Sequence, residues 1–123
     1  MALRPRYADK DLVIDVVDGA GEVRLTWSGK STEREPGRFL VPLFGEVLAH
    51  AKVAGKRVAM DFTAVDYMNS STFTPIVKLL DEARRAGVAV LLEFEGTRKW
   101  QALSFSALRA FETPDGRIAV RSK

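Results

Sequence analysis

The chain has no cysteine and only one histidine, His50, in 123 residues. The first absence excludes disulfides, thiol nucleophiles, iron–sulfur clusters and cysteine-bound zinc, and it gives no sign of an oxidising compartment. The second excludes multi-histidine metal centres and leaves His50 or a carboxylate as the only general bases. Long apolar runs are missing as well. The longest, such as Val88-Ala89-Val90-Leu91-Leu92, fall far short of the roughly 20 residues that cross a bilayer. Dense basic tracts are also absent: 19 Lys and Arg against 16 Asp and Glu leave a formal charge of +3, which makes nucleic acid an unfavoured partner. The opening MALRPRYADK is basic but runs into Asp11 and a strand-like segment instead of an apolar signal core. The expectation is a soluble cytoplasmic protein with no membrane insertion.

What is present suffices for one core: 46% hydrophobic residues, with seven Phe and two Trp. One domain over residues 1–123 is expected, with residues 1–10 as a flexible lead. Leu12-Val13-Ile14 and Val16-Val17, the Asp18-Gly19-Ala20-Gly21 interruption and the alternating Glu22–Ser28 read as a hairpin, its second strand near a sheet edge. Gly29–Gly37 reads as a loop. A first helix follows from about Leu40 to Ala54, with Pro42 in its first turn and His50 on the border of its apolar face. Arg57–Phe62 has the near-continuous apolar character of a central strand covered on both faces. Phe73, Ile76, Val77, Leu80 and Ala83 then mark a second helix ending at Gly87, and Val88–Phe94 a second central strand. Strand, helix and strand make a parallel βαβ unit with a right-handed crossover. A third helix opens at Gly96-Thr97 with Thr97 as N-cap, carries Trp100, Leu103, Ala107, Leu108 and Phe111 inward, and leaves Phe105 on an outward face. After a Thr113–Gly116 turn, Arg117–Arg121 forms a short last strand. The order β-β-α-β-α-β-α-β defines an α/β fold: a mixed sheet against about three helices.

Chemistry concentrates in Met60-Asp61-Phe62-Thr63-Ala64-Val65-Asp66-Tyr67-Met68-Asn69-Ser70-Ser71-Thr72. This segment leaves the C-terminal end of a central parallel strand and delivers an amide and three hydroxyls to a helix start, where open α/β sheets place ligand crevices and free N–H groups favour anions. Asn, Ser and Thr are also preferred caps, so a simple capped helix start reads equally well. Pro75 lacks an N–H, which favours a start at Thr72, with Ser70 and Ser71 on an exposed shoulder. An enzyme would need a base beside Ser70 or Ser71. None is in sequence reach: His50 is on another helix and Lys78 about two turns along. Gly19-Ala20-Gly21 lies in a hairpin and is no phosphate loop. Asp61 and Asp66 could hold a metal, but Asp61 serves equally as a strand-end or capping partner, and no metal or cofactor is expected.

These residues resemble the anti-sigma-factor antagonist, or STAS, domains, in which a central strand ends in Asp and an Asp-Ser-Ser/Thr-Gly motif opens the next helix, its first Ser being the phosphoacceptor. Asn69 stands in place of that Asp and Thr72 in place of the Gly. In both departures Met68-Asn69-Ser70-Ser71-Thr72 is similar to a branch of small single-domain phosphoproteins that control biofilm formation through a diguanylate cyclase, as is Leu43-Phe44-Gly45-Glu46-Val47-Leu48. The likeness spans roughly Lys30 to Phe94. It implies a non-enzymatic STAS-like partner switch, with Ser70 as phosphoacceptor and Ser71 as second choice. It further implies docking through Tyr67, Asn69, Ser71, Thr72 and Phe73, and Asp61 as structural support. The implied partners are a protein serine kinase, a phosphatase and a target that is an anti-sigma factor or a diguanylate cyclase. Two other readings stay open: a phosphorylation-independent STAS-like interaction module, and a module that binds an acidic partner through Lys56-Arg57, Arg84-Arg85 and Arg98-Lys99.

Overall fold

A computed structural model describes residues 3–123; of the first ten residues, Met1 and Ala2 lie outside the described part. Arg6–Asp9 forms an edge strand, β1, antiparallel to β2 (Leu12–Asp18). Sequence alone did not expose it, because its turn passes through Lys10 with φ 53° and carries neither Gly nor Asn. β2 pairs antiparallel with β3 (Glu22–Ser31), which pairs parallel with β4 (Arg57–Met68). β3 is therefore an inner strand, not an edge. Helix α1 (Gly37–Ala54) joins β3 to β4, α2 (Ser70–Ala86) joins β4 to β5 (Val90–Phe94), and α3 (Lys99–Leu108) with one 3₁₀ turn leads to β6 (Ile118–Ser122). The six strands lie in sequence order. Three right-handed crossovers advancing in one direction put every helix on the same face of the sheet.

The central strand β4 is covered on both faces, as its apolar run predicts, but helices supply the cover on only one of them. Val58, Met60 and Phe62 of β4 point into the single core with Val23, Leu25 and Trp27 of β3. The opposite face is polar. Arg24 bonds Glu22 at 2.8 Å and reaches across β4 to Glu93 on β5 at 2.6 Å, while Arg57 bonds Glu22 at 2.7 Å. Ala59, the register partner of Arg24, is fully buried beneath this charged layer, so the strand reads as continuously apolar although side chains and not a helix cover it.

β3 and β4 also run further than expected. Gly29, read as the start of a loop, lies inside β3 at φ 87°, where a Cβ would collide with the Asp11 carbonyl. Register shifts between Thr26 and Ser28 and between Gly29 and Lys30 let the paired strands continue to Ser31 and Met68. The core is organised by aromatics: Trp27 lies 4.8 Å from Phe62, Phe62 4.8 Å from Phe105, and Phe94 stacks on Phe105 at 5.6 Å.

Phe105 is thus in the core and not on an outward face. Helix α3 is turned relative to its expected phase: Gln101, Phe105 and Leu108 are buried, whereas Leu103 is 77% exposed and Phe111 40% exposed. The cause is Gln101. Its Nε2 donates to the Phe62 and Val65 carbonyls, each at 2.9 Å, and its Oε1 accepts from the Glu95 N–H at 2.7 Å. A buried glutamine that satisfies three backbone groups looks polar in the sequence and faces inward in the fold. Thr97 does not cap α3 either: its hydroxyl donates to Glu95, and the N-cap position is Arg98.

Candidate functional site

Met68 is the register partner of Ser31, and the next N–H, that of Asn69, donates to the Ser31 carbonyl at 3.0 Å. The β3–β4 ladder therefore runs directly into the start of α2. Asn69 is in extended conformation at the N-cap, where its Oδ1 accepts from the Thr72 N–H at 3.1 Å and the Thr72 hydroxyl at 2.6 Å. Its Nδ2 donates to the Glu33 carbonyl at 2.7 Å and so holds the β3–α1 loop. Because the single Thr72 hydroxyl proton is given to Asn69, the Ser31 hydroxyl must be the donor in the buried 2.7 Å bond between Ser31 and Thr72. The two departures from the resembled motif have physical reasons in this lattice. An Asp at 69 has no donor for Glu33, and a Gly at 72 has no hydroxyl for Ser31.

The lattice starts α2 at Ser70, two residues earlier than Pro75 alone suggested. Pro75 then sits in the second turn, and the Ser71 carbonyl lacks its α-helical donor. Pro42 occupies the equivalent place in α1, which begins at Gly37 and not near Leu40, and deprives the Arg38 carbonyl in the same way. Ser71 and Arg38 are both exposed, so water can satisfy both groups.

The expected phosphoacceptor Ser70 is exposed at the helix start; of the residues assigned to docking, Ser71 is exposed beside it, Tyr67 is 49% exposed, and Asn69 is half-buried in its cap. Phe73 is half-buried, with its ring edge-on to Phe105 at 5.7 Å. Thr72 must be removed from that group. It is fully buried, and its hydroxyl is engaged by Asn69 and Ser31, so no partner reaches it in this conformation.

Asp61 is seven residues before Met68 on β4, about 20 Å away at ordinary strand rise, and cannot touch Ser70. Its Oδ1 accepts from the Thr63 N–H and hydroxyl at 2.9 and 2.7 Å, and its Oδ2 from the Lys123 ammonium at 2.8 Å. Burial pushes this carboxyl up, but Lys123 and the two Thr63 donors outweigh it and hold the group below the usual carboxylate range. Asp66 pairs with Arg98 at 3.2 Å. His50 bonds Asp18 at 2.8 Å, and Asp18 pairs with Val23 at the opposite end of β3, a strand about 30 Å long. The serines therefore have neither His50 nor Asp61 within reach. Among the described residues no three His, Asp or Glu side chains converge on a metal position.

The basic pairs are substantially engaged. Lys56 bonds Asp18 at 2.6 Å, Arg57 bonds Glu22, and Arg84 and Arg85 both bond Asp81 at 3.1 and 2.9 Å. Sequence reasoning missed Ser31, Glu33 and Gln101. Ser31 and Glu33 lie in a stretch read as loop, and no spacing signal links them to Asn69. No helix of the described residues is long and apolar enough to cross a membrane.

The geometry defines the class as an α/β domain with a one-sided sheet and a hydroxyl-bearing helix start after its central strand. No model of a known protein family matches the chain, and no curated protein matches it in sequence. Solved structures do match in fold. An anti-sigma factor antagonist from Mycobacterium paratuberculosis superimposes with a TM-score of 0.63 at 15% identity, over 89% of this chain and 93% of that one. A chain in the complex of the diguanylate cyclase SiaD with its activator SiaC from Pseudomonas aeruginosa gives 0.58 at 19% identity, over 96% and 98%. A Shewanella loihica protein of the DUF3478 family, described as having a SpoIIAA-like fold, gives 0.56 at 15% identity, over 100% and 90%. The chain has the SpoIIAA-like, or STAS-like, fold.

Proposed function

We propose that this protein is a non-enzymatic, cytoplasmic regulatory domain that acts as a partner switch through phosphorylation of Ser70. The observation that carries the reading is the exposed Ser70 at the start of α2, held on a lattice of Asn69, Thr72, Ser31 and Glu33 with neither His50 nor Asp61 in reach. A hydroxyl displayed in this way is suited to a kinase that brings its own chemistry. In the unmodified state, Tyr67, the shoulder and the exposed side of α2 would meet a target, either an anti-sigma factor or a diguanylate cyclase. These are the classes that the anti-sigma factor antagonist and the cyclase activator among the fold neighbours are named for. Phosphate adds about −1.5 to −2 charges, which the α2 N-terminus tolerates while a neutral interface does not. A phosphatase would restore binding.

Phosphopeptide mapping of the protein isolated from its own cells, with and without phosphatase treatment, tests this. The expected result is one phosphate, on Ser70, lost in Ser70→Ala and released by phosphatase. A chain that never carries phosphate while still binding its target would instead support the phosphorylation-independent module. That second reading is favoured by one observation: Asn69 and Thr72, the two departures from the motif, are fully used in holding the fold.

A further inference from the structure

The two adjacent serines face different surroundings. Along α2, Ser71, Thr74, Pro75 and Lys78 follow the i, i+3, i+4, i+7 spacing of one helix face. That face forms one wall of a groove of about 330 Å³ whose other wall carries Arg34 and Arg38, from the β3–α1 loop and the first turn of α1. Ser70 does not line this groove. Its face continues through Phe73, which packs on Phe105 of α3. The groove thus belongs to Ser71, and three cations and one carboxylate, Glu35, border it.

Of the carboxylates flanking Arg34, Glu33 is engaged by Lys10 at 2.6 Å, whereas Glu35 lines the groove itself and pairs with Arg38 at 2.7 Å, so a phosphate there has to displace Glu35 from Arg38. The Arg38–Glu35 pair is highly exposed on both sides, so it rearranges easily. Lys78, which lines the groove with Ser71, is 4.0 Å from Glu82 in an exposed pair that is easily exchanged. Neither α1 nor α2 has an acidic residue in its first turn. The positive end of α2 therefore adds to the three side-chain charges, while Glu35 stands just before the α1 N-cap, Pro36. The tether from Asn69 to the Glu33 carbonyl keeps the loop that carries Arg34 beside the shoulder.

We infer that this groove is a built-in receptor for phosphate on Ser71, with Arg34, Arg38 and Lys78 as its ligands. Phosphorylation at Ser71 would close the groove on the protein's own chain, whereas phosphate on Ser70 stays outward and acts on a partner. The transfer itself needs ATP and a protein kinase: the Ser71 Oγ–phosphorus bond forms as the bond from the γ-phosphorus to the departing ADP oxygen breaks, and the hydroxyl proton passes to the kinase's base. The inference shares with the proposed function only the idea that the shoulder is a kinase substrate.

The test installs phosphoserine at position 71 or 70 during synthesis of the full chain and follows each phosphate by phosphorus NMR as a function of pH. A free phosphoserine loses its second proton near pH 6. In the Ser71 form the cations should weaken the phosphate's proton affinity about tenfold relative to the Ser70 form, a difference of about 1.4 kcal/mol. The difference should vanish in Arg34→Ala/Arg38→Ala and shrink in Lys78→Ala, a variant that leaves the loop untouched, with circular dichroism reporting that each variant is folded. Equal titration of the two forms, or a difference that survives removal of all three cations, overturns the inference. Because the phosphate is installed without a kinase, this result is separate from whether Ser70 is modified in the cell.

Discussion

Asn69 accepts two hydrogen bonds from Thr72 through its oxygen and donates one to the Glu33 carbonyl through its nitrogen. Asp at this position keeps the cap, and the α2 dipole favours its charge, but it sets a carboxylate against a carbonyl where a donor stood. Asn69→Ala removes the cap and the tether together. The expected order of stability is wild type, then Asn69→Asp lower by about 1 kcal/mol, then Asn69→Ala lower by about 2 kcal/mol, from typical net hydrogen-bond and N-cap values. Urea denaturation measures this directly, and an Asn69→Asp protein as stable as wild type would show that the bond to Glu33 contributes nothing. The residue type at 69 was legible in the sequence as a cap. Its second partner was not, because Glu33 lies 36 positions away and contributes only a carbonyl, which every residue has.

Helix α3 shows how one buried polar residue defeats periodicity. An apolar count puts Leu103 inward and Phe105 outward, and the reverse holds because Gln101, one turn before Phe105, fixes the helix by three bonds to backbone groups. Gln101→Ala leaves the Phe62 and Val65 carbonyls and the Glu95 N–H buried without this partner. The expected loss is about 3 kcal/mol, at the upper end for a buried network. Leu103→Ala, at a 77% exposed position, should stay within about 0.5 kcal/mol of wild type. Thermal or chemical unfolding of the two variants checks the phase of the helix, and equal effects would contradict it. By contrast, β4, α2 and β5 were legible because their apolar spacing agrees with their burial: Ile76, Leu80 and Ala83 on the inner face of α2, and Val90, Leu92 and Phe94 on that of β5. The ends of β3 and β4 were hidden by polar residues. Ser31, Thr63 and Asp66 belong to strands whose pairing passes through bulges, and bulges shift the alternation on which a strand is recognised.

At the scale of the whole molecule, one sheet face is buried under helices and the other is held by charges, so the response to pH should come from the second face. The order of elements, set by apolar runs and turns, was open to sequence reading. The charged layer was not, because its members come from distant segments: Asp61 is joined to Lys123, 62 positions away, and Arg24 to Glu93, 69 positions away. Burial raises Asp61, yet Lys123 and the Thr63 donors hold its carboxyl below the usual value near 3.9. Burial likewise raises Glu22, and Arg24 and Arg57 bring it below its usual value. A group whose pKa is depressed in the folded state stabilises it above the unfolded pKa and loses that contribution as pH falls through the folded value. Lys123 has the opposite sign: its bond to Asp61 raises it, so its contribution is complete below about 10.4 and fades as pH rises through the folded value. Stability should therefore be level from about pH 5 to 9 and decline below about pH 4. Asp61→Asn removes one titrating group while leaving a side chain of similar shape. It should lower stability at pH 7 by about 1 kcal/mol, on the scale of a hydrogen bond to a charged group, and make the decline below pH 4 shallower. Urea unfolding of wild type and Asp61→Asn from pH 2.5 to 8 measures both effects. Parallel curves would mean that Asp61 carries no linkage and that the acid limb belongs to Glu22 and the surface carboxylates alone.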